Sequence, residues 1–183
     1  MCQFNLAIVD KESDDLKLKD IFESYGFDFS LLQNQNLIKL ISPDLKVIFT
    51  TKSHCDCGSA IGIDTKDNSS RRDIVKEIKK LKRKKWSDSK IQRYLDNKAK
   101  TEEKNQAETG KNIQRELDNW LDIINGCFGV NLTKKFGILT HFYSGTLENE
   151  KFDDLSIINC TLKDFHIDSL KELEFDKILL IRR

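Results

Sequence analysis

Apolar residues alternate near both ends of this chain and recur at helical spacing through its middle. That change of period restricts the fold more than any other feature. In residues 3–9, QFNLAIV, Phe4, Leu6 and Ile8 share one face, and Asn5, Ala7 and Val9 the other. Such period-two patterning describes a strand. Strand signals return at 135–143, KFGILTHFY, at 155–160, LSIINC, and in the closing DKILLIRR. Between them, residues 69–128 read as helical. Ile74, Ile78 and Leu81 mark one helix, and Ile91, Tyr94 and Leu95 another. Ile113, Leu117, Trp120, Leu121 and Ile124 form the cleanest amphipathic stripe. The intervening KAKTEEKNQAETGK has almost nothing to bury and reads as an exposed helix end or a connection.

Shorter signals fill in the order. Ser13 reads as a helix N-cap with Asp14 and Asp15 in the first turn. Leu18, Ile21, Phe22 and Tyr25 follow at helical spacing, and Gly26 is placed to stop the helix. Residues 36–41, NLIKLI, and 45–51, LKVIFTT, flank Ser42-Pro43-Asp44, which predicts a β-hairpin. Ser144-Gly145 reads as a turn, and Ser169 to Leu173 as a short helix. The whole predicts a single α+β domain over 1–183, with a mostly antiparallel sheet and 69–128 as a basic helical insertion. The opening elements also fit a ferredoxin-like β-α-β-β-α-β order.

Only one Pro and eight Gly occur in 183 residues, which argues against a linker-rich or low-complexity chain. No stretch approaches the roughly 20 apolar residues of a membrane span. The N-terminal MCQFNLAIVDKESDD lacks the basic region of a secretory signal. These features predict a cytoplasmic protein. In that reducing setting its five cysteines serve metal binding, reactivity or packing rather than disulfides.

The densest chemistry lies in SHCDCGSAIG, residues 53–62, where His54, Cys55 and Cys57 crowd together ahead of Gly58. Thiolates and neutral imidazoles suit zinc, which takes four such donors in a structural site. Cys55 and Cys57 supply two, and Gly58 lets the chain fold back. Cys2 begins the first strand and His141 lies near the end of ILTHFYSG. If the first strand runs antiparallel to the strands ending near Thr51 and Tyr143, Cys2, Cys55, Cys57 and His141 form a Cys₃His zinc site at one end of the sheet. His54 is the substitute for His141. A strict ferredoxin-like sheet, whose first and third strands are parallel, excludes that site. It places Cys2 and Cys55 roughly 20 Å or more apart, at about 3.3 Å per residue. Cys127 and Cys160 lie in or beside apolar runs and read as packing residues. His166 reads as exposed.

Two other thiol chemistries fit the same residues. Removal of Met1 would expose Cys2, whose own amine is then placed to act as base for its thiol. This Met1-Cys2 start resembles that of the N-terminal nucleophile hydrolases. The following Gln3-Phe4-Asn5 departs from the Cys-Gly start of their amidotransferase members. That likeness implies Cys2 as nucleophile, with oxyanion donors from Asn5 or the Gly58-Ser59 backbone. Neighbouring thiols in a turn also suit a strained, reducible disulfide. The spacing lacks the two-residue gap of thioredoxin-like sites.

Charge is uneven. Residues 71–104 hold fourteen Lys or Arg against six Asp or Glu, although the whole chain carries only +1. Lys79, Lys80, Lys82, Arg83, Lys84 and Lys85 are candidates to neutralise phosphates, with Trp86 to stack on a base. The partner of segment 71–86 is then a nucleic acid, another polyanion or a protein. Phosphate-loop, dinucleotide-binding and Gly-x-Ser-x-Gly patterns are absent. The functional expectation is a binding or regulatory module with zinc at a sheet edge. The alternatives are a Cys2 hydrolase and a polyanion-binding protein.

Overall fold

The computed structural model describes residues 2–51, 54–62, 78–152 and 155–183. The start of the predicted basic helix, 71–77 with Ile74, lies outside them. Contacts divide the chain into two compact units, 1–63 with 115–183, and 64–114.

The first unit is built on a six-stranded sheet. In chain order its elements are β1 (Cys2–Asp10), α1 (Asp15–Ser24), β2 (Ser30–Leu31), α2 (Gln35–Leu40) and β3 (Leu45–Phe49). Then come the end of α3 (Asp88–Gly129), β4 (Lys135–Tyr143), β5 (Ser156–Thr161), α4 (Asp168–Lys171) and β6 (Lys177–Arg182). The strand order is β2-β3-β1-β4-β6-β5. All neighbours are antiparallel except β5 and β6. The fold is therefore α+β with a mixed, mostly antiparallel sheet. The pairing of β1 with β3 is antiparallel, with Leu6 opposite Phe49 and Asp10 opposite Leu45. A ferredoxin-like sheet requires its first and third strands to be parallel, and that order is not found.

Alternation along β1 sorts its side chains onto two cores. Leu6 and Ile8 join Leu37, Leu45, Val47, Leu139, Ile178 and Leu180 on one face. Ala7 and Val9, on the other, share their side with Ile48, Ile138 and Phe136. There Phe22 of α1 stacks on Phe136 at 6.3 Å and meets Trp120 of α3 edge-on at 6.2 Å. Trp120, Leu117 and Ile124 are fully buried, so the stripe read from the sequence is the face that packs.

Local chemistry sets the ends of α1. Asp14, rather than Ser13, is the N-cap, and its carboxylate accepts from the Leu16 and Lys17 N–H groups. Ser13 is instead buried, its N–H bonded to the Asp10 carbonyl. At the other end Gly26 adopts φ +72°. The Gly26 N–H returns to the Glu23 carbonyl and the Phe27 N–H to the Phe22 carbonyl, a Schellman closure.

Two expectations are corrected. Residues 36–41 do not form the first arm of a hairpin, because 35–40 are helical. Asn34 caps α2 by accepting the Leu37 N–H at 2.9 Å. Leu37 and Ile41, one turn apart, both pack on the core. The Pro43 turn survives, with the Leu45 N–H bonded to the Ser42 carbonyl. The polar stretch KAKTEEKNQAETGK is not a connection either. It lies inside the continuous 42-residue α3, because its Ala, Glu, Lys and Gln are strong helix formers.

Within the second unit, residues 78–83 are helical and the chain turns at Lys84 and Lys85 before α3 begins. Leu81 and Ile91 are buried there. Trp86 meets Tyr94 edge-on at 5.9 Å.

Candidate metal centre

The candidate site arises where β3 stops pairing with β1. Their ladder covers Leu6 to Asp10 and, among the described residues, leaves that edge of β1 at Gln3 and Asn5 without a strand partner. The segment after β3 takes that place. The Thr50 hydroxyl donates to the Asn5 carbonyl at 2.8 Å. The Asp56 carboxylate accepts the Asn5 N–H and the Thr51 hydroxyl, both at 2.7 Å. The Asp56 N–H donates to the Gln3 carbonyl at 2.8 Å. Finally, the Gln3 N–H points to the Cys57 Sγ at 3.4 Å. A buried backbone donor without an acceptor is costly, so these bonds define where residues 55–57 must lie.

The loop is then tied down behind the thiols. Asp56 to Ser59 form a tight turn, closed by the Ser59 N–H on the Asp56 carbonyl at 2.9 Å. Gly58 has φ +86°, the value its third position requires in a type II turn. The Asn5 side chain donates to the Ser59 Oγ at 2.8 Å, and Ser59 donates to Glu116 of α3 at 2.7 Å. The other Glu116 oxygen accepts the Ala60 N–H at 3.1 Å. The Gln3 amide donates to the Ile61 carbonyl and the Thr140 hydroxyl, both at 3.2 Å. Ala60 and Ile61 are fully buried.

This framework brings Cys2, Cys55 and Cys57 together, with their sulfurs all within 4.8 Å of one another. Cys2 and Cys57 are exposed and Cys55 is partly covered. The Gln3 N–H, with hydrogen bonds from the Cys55 and Cys2 thiols, lowers the Cys57 thiol below its ordinary range. Cys55 receives the Cys57 N–H, which acts to lower it. Its hydrogen bond to Cys57, its partial burial and the neighbouring sulfurs outweigh that and leave it raised. Of Cys55 and Cys57, Cys57 is thus the one that gives up its proton more readily. Thiolate is the form that binds metals.

Among the described residues no histidine or carboxylate joins this group. His54 is exposed and stands outside it. His141 lies opposite Phe4 in the β1–β4 ladder. Its ring is held by Asp176 on Nδ1 and faces Glu150 across 3.6 Å on Nε2. It packs on Phe152 at 4.5 Å and Tyr143 at 4.7 Å. The fourth donor read from the sequence is therefore engaged elsewhere. Cys127 is buried, which pushes its thiol up to about 12 and fits packing. Cys160 sits on β5, and His166 is exposed.

The His141 cluster holds the loop after β4. Glu150 is only 10% exposed. Burial alone would raise its carboxyl. The N–H groups of Gly145 and Ser144, the Ser144 hydroxyl and His141 instead hold it below its ordinary value of 4.5. Its contribution to stability is therefore complete above that value and is lost as pH falls through the lower folded value. Glu150→Gln is expected to flatten the acid limb of stability against pH, read from urea unfolding at stepped pH. Identical acid slopes for the two proteins would refute this.

Two of the oxyanion donors expected for a Cys2 nucleophile are engaged in the fold. The Asn5 amide is bonded to Ser59, and the Ser59 N–H closes its own turn. In the second unit, Lys79, Lys80, Lys82, Arg83, Lys84 and Lys85 are exposed. Lys82 pairs with Asp88 at 3.2 Å. Trp86 is partly buried, and Lys90 lies over its ring at 4.1 Å, covering a face proposed for base stacking.

Sequence reasoning picked out all three clustered thiols but missed Asp56 and Glu116, which position them. The signal for Asp56 was its place between two cysteines in a turn. Glu116 lies on the stripe-bearing helix and carries no local signal. No helix among the described residues is long and apolar enough to cross a membrane. Compared with protein-family models, curated proteins and solved structures, the chain matches none.

Proposed function

We propose that this protein is a small binding or regulatory module whose N-terminal strand and Cys55–Cys57 turn are clamped by zinc, with Cys2, Cys55 and Cys57 as thiolate ligands. The observation that carries this reading is the gathering of three sulfurs within 4.8 Å from two separate segments. Zinc accepts such donors at about 2.3 Å, so only a modest contraction of the cluster is needed. The Gln3 N–H, by lowering the Cys57 thiol, reduces the proton cost of the first bond. The fourth position falls to water or to a donor from a binding partner. In this reading the metal fastens the sheet edge and is not asked to perform hydrolysis.

Metal content of the purified, untagged protein tests the reading. About one zinc per chain is expected, with near-complete loss in the Cys55→Ser/Cys57→Ser double variant. A well-folded wild-type protein that neither contains zinc nor takes it up would overturn it.

A further inference from the structure

The sheet has two edges, and they differ. At one, β2 is two residues long. At the other, β5 runs for six residues alongside β6 and, among the described residues, has no strand on its outer side. Its ladder shows which groups face away from β6. The Ser156 N–H bonds to the Asp176 carbonyl and the Leu162 N–H to the Arg182 carbonyl. In a parallel pair, alternate residues point both backbone groups the same way. The even-numbered residues of β5 therefore serve β6. Ile157, Asn159 and Thr161 direct their N–H and C=O groups outward, the Thr161 carbonyl also accepting the Asp164 N–H at 3.0 Å.

Exposed edges of this kind are normally blunted by charges, proline or a bulge. β5 has none of these. Residues 155–162, LSIINCTL, contain no charged residue and no proline. Ile157 is 42% exposed and Ile158 is 44% exposed, on opposite faces of the sheet. A row of outward-facing backbone groups flanked by β-branched side chains is matched by another strand.

We propose that the partner is a second copy of this chain, joined through an antiparallel β5–β5 pairing about a two-fold axis at Asn159. The outward-facing groups are arranged symmetrically about that residue, and the Thr161 carbonyl has a second lone pair beside the one given to Asp164. Asn159 pairs with Asn159 of the other copy, and Ile157 of each copy pairs with Thr161 of the other. Ile158 then lies across from Cys160, which covers apolar surface on the second face. The uncharged segment places no like charges in contact, and a net charge of +1 gives two copies little mutual repulsion. A two-fold, self-complementary patch is the commonest way in which soluble chains form dimers.

Light scattering during size exclusion over a concentration series reads the result. The wild type is expected at twice the chain mass, dissociating on dilution. Asn159→Pro removes an outward N–H that β6 does not use, so it is expected to elute as a folded monomer. Ile157→Lys, at an exposed position, is expected to do the same and stands in if the proline variant fails to fold. Asn159→Cys is expected to give a disulfide-linked dimer joined through residue 159, read by peptide mass mapping. A wild type that is monomeric at every concentration, or a dimer that survives both Asn159→Pro and Ile157→Lys, overturns the proposal. Cross-linking at Thr161→Cys but not at Asn159→Cys overturns the register.

Discussion

Stripping the metal with a chelator is expected to lower the melting temperature of the zinc-loaded protein by on the order of 10 °C. The size follows from linkage. A ligand held only by the native state, at free concentrations about 1,000-fold above its dissociation constant, contributes about 4 kcal/mol. A chain of this length shifts by roughly 2–4 °C per kcal/mol. The effect should be concentrated at the start of β1 and the 54–62 turn, where the ligands lie. Without metal, that segment keeps its hydrogen bonds to Gln3 and Asn5 but loses the covalent-like link between Cys2 and the Cys55–Cys57 turn. Re-addition of zinc should restore the wild-type transition. The Cys55→Ser/Cys57→Ser variant should melt at one temperature with or without chelator. A wild-type melt unmoved by chelation, with zinc shown to have left, would contradict the clamp.

Asp56→Ala is the second change expected to have a large effect, although Asp56 is not among the proposed ligands. Its carboxylate accepts the Asn5 N–H and the Thr51 hydroxyl, while Asn5 and Thr51 are almost completely buried. Truncation leaves both donors without an acceptor. An orphaned buried polar group costs about 1–3 kcal/mol, so a loss of roughly 2–4 kcal/mol is expected from denaturant unfolding, with the two donors relaxing in part. The same change removes one of the ties that hold Cys55 and Cys57 beside Cys2, so zinc affinity should fall too. Asp56→Asn keeps one acceptor oxygen and should retain more of both properties. If Asp56→Ala binds zinc as tightly as wild type, the carboxylate does not position the thiols.

Much of this arrangement was legible before the structure because it rests on strong, local or periodic signals. Period-two alternation marked β1 and β4. The stripe Leu117, Trp120 and Ile124 marked the packed face of α3. Gly26 marked the end of α1. The condition for joining Cys2 to Cys55 and Cys57 was an antiparallel β1–β3 pair, and that pairing is present. What escaped notice depended on residues remote in sequence or on ambiguous short segments. A six-residue apolar run such as 36–41 fits a strand or a helix, and its helical state was decided by Asn34. That side chain also donates to the carbonyls of Leu147 and Glu150, more than a hundred residues away. His141 looked available as a ligand because Asp176 and Glu150, which engage it, do not adjoin it in sequence. The parallel docking of β5 on β6 likewise follows from the crossover through α4, and no feature of LSIINC announces it.

In the proposed clamp, three sulfurs from two segments hold one zinc ion. X-ray absorption at the zinc edge of the purified protein measures it most directly. About three sulfur neighbours near 2.3 Å and one lighter neighbour near 2.0–2.2 Å are expected, with sulfur lost from the shell in Cys57→Ser. A shell made only of nitrogen and oxygen, unchanged in that variant, would contradict it.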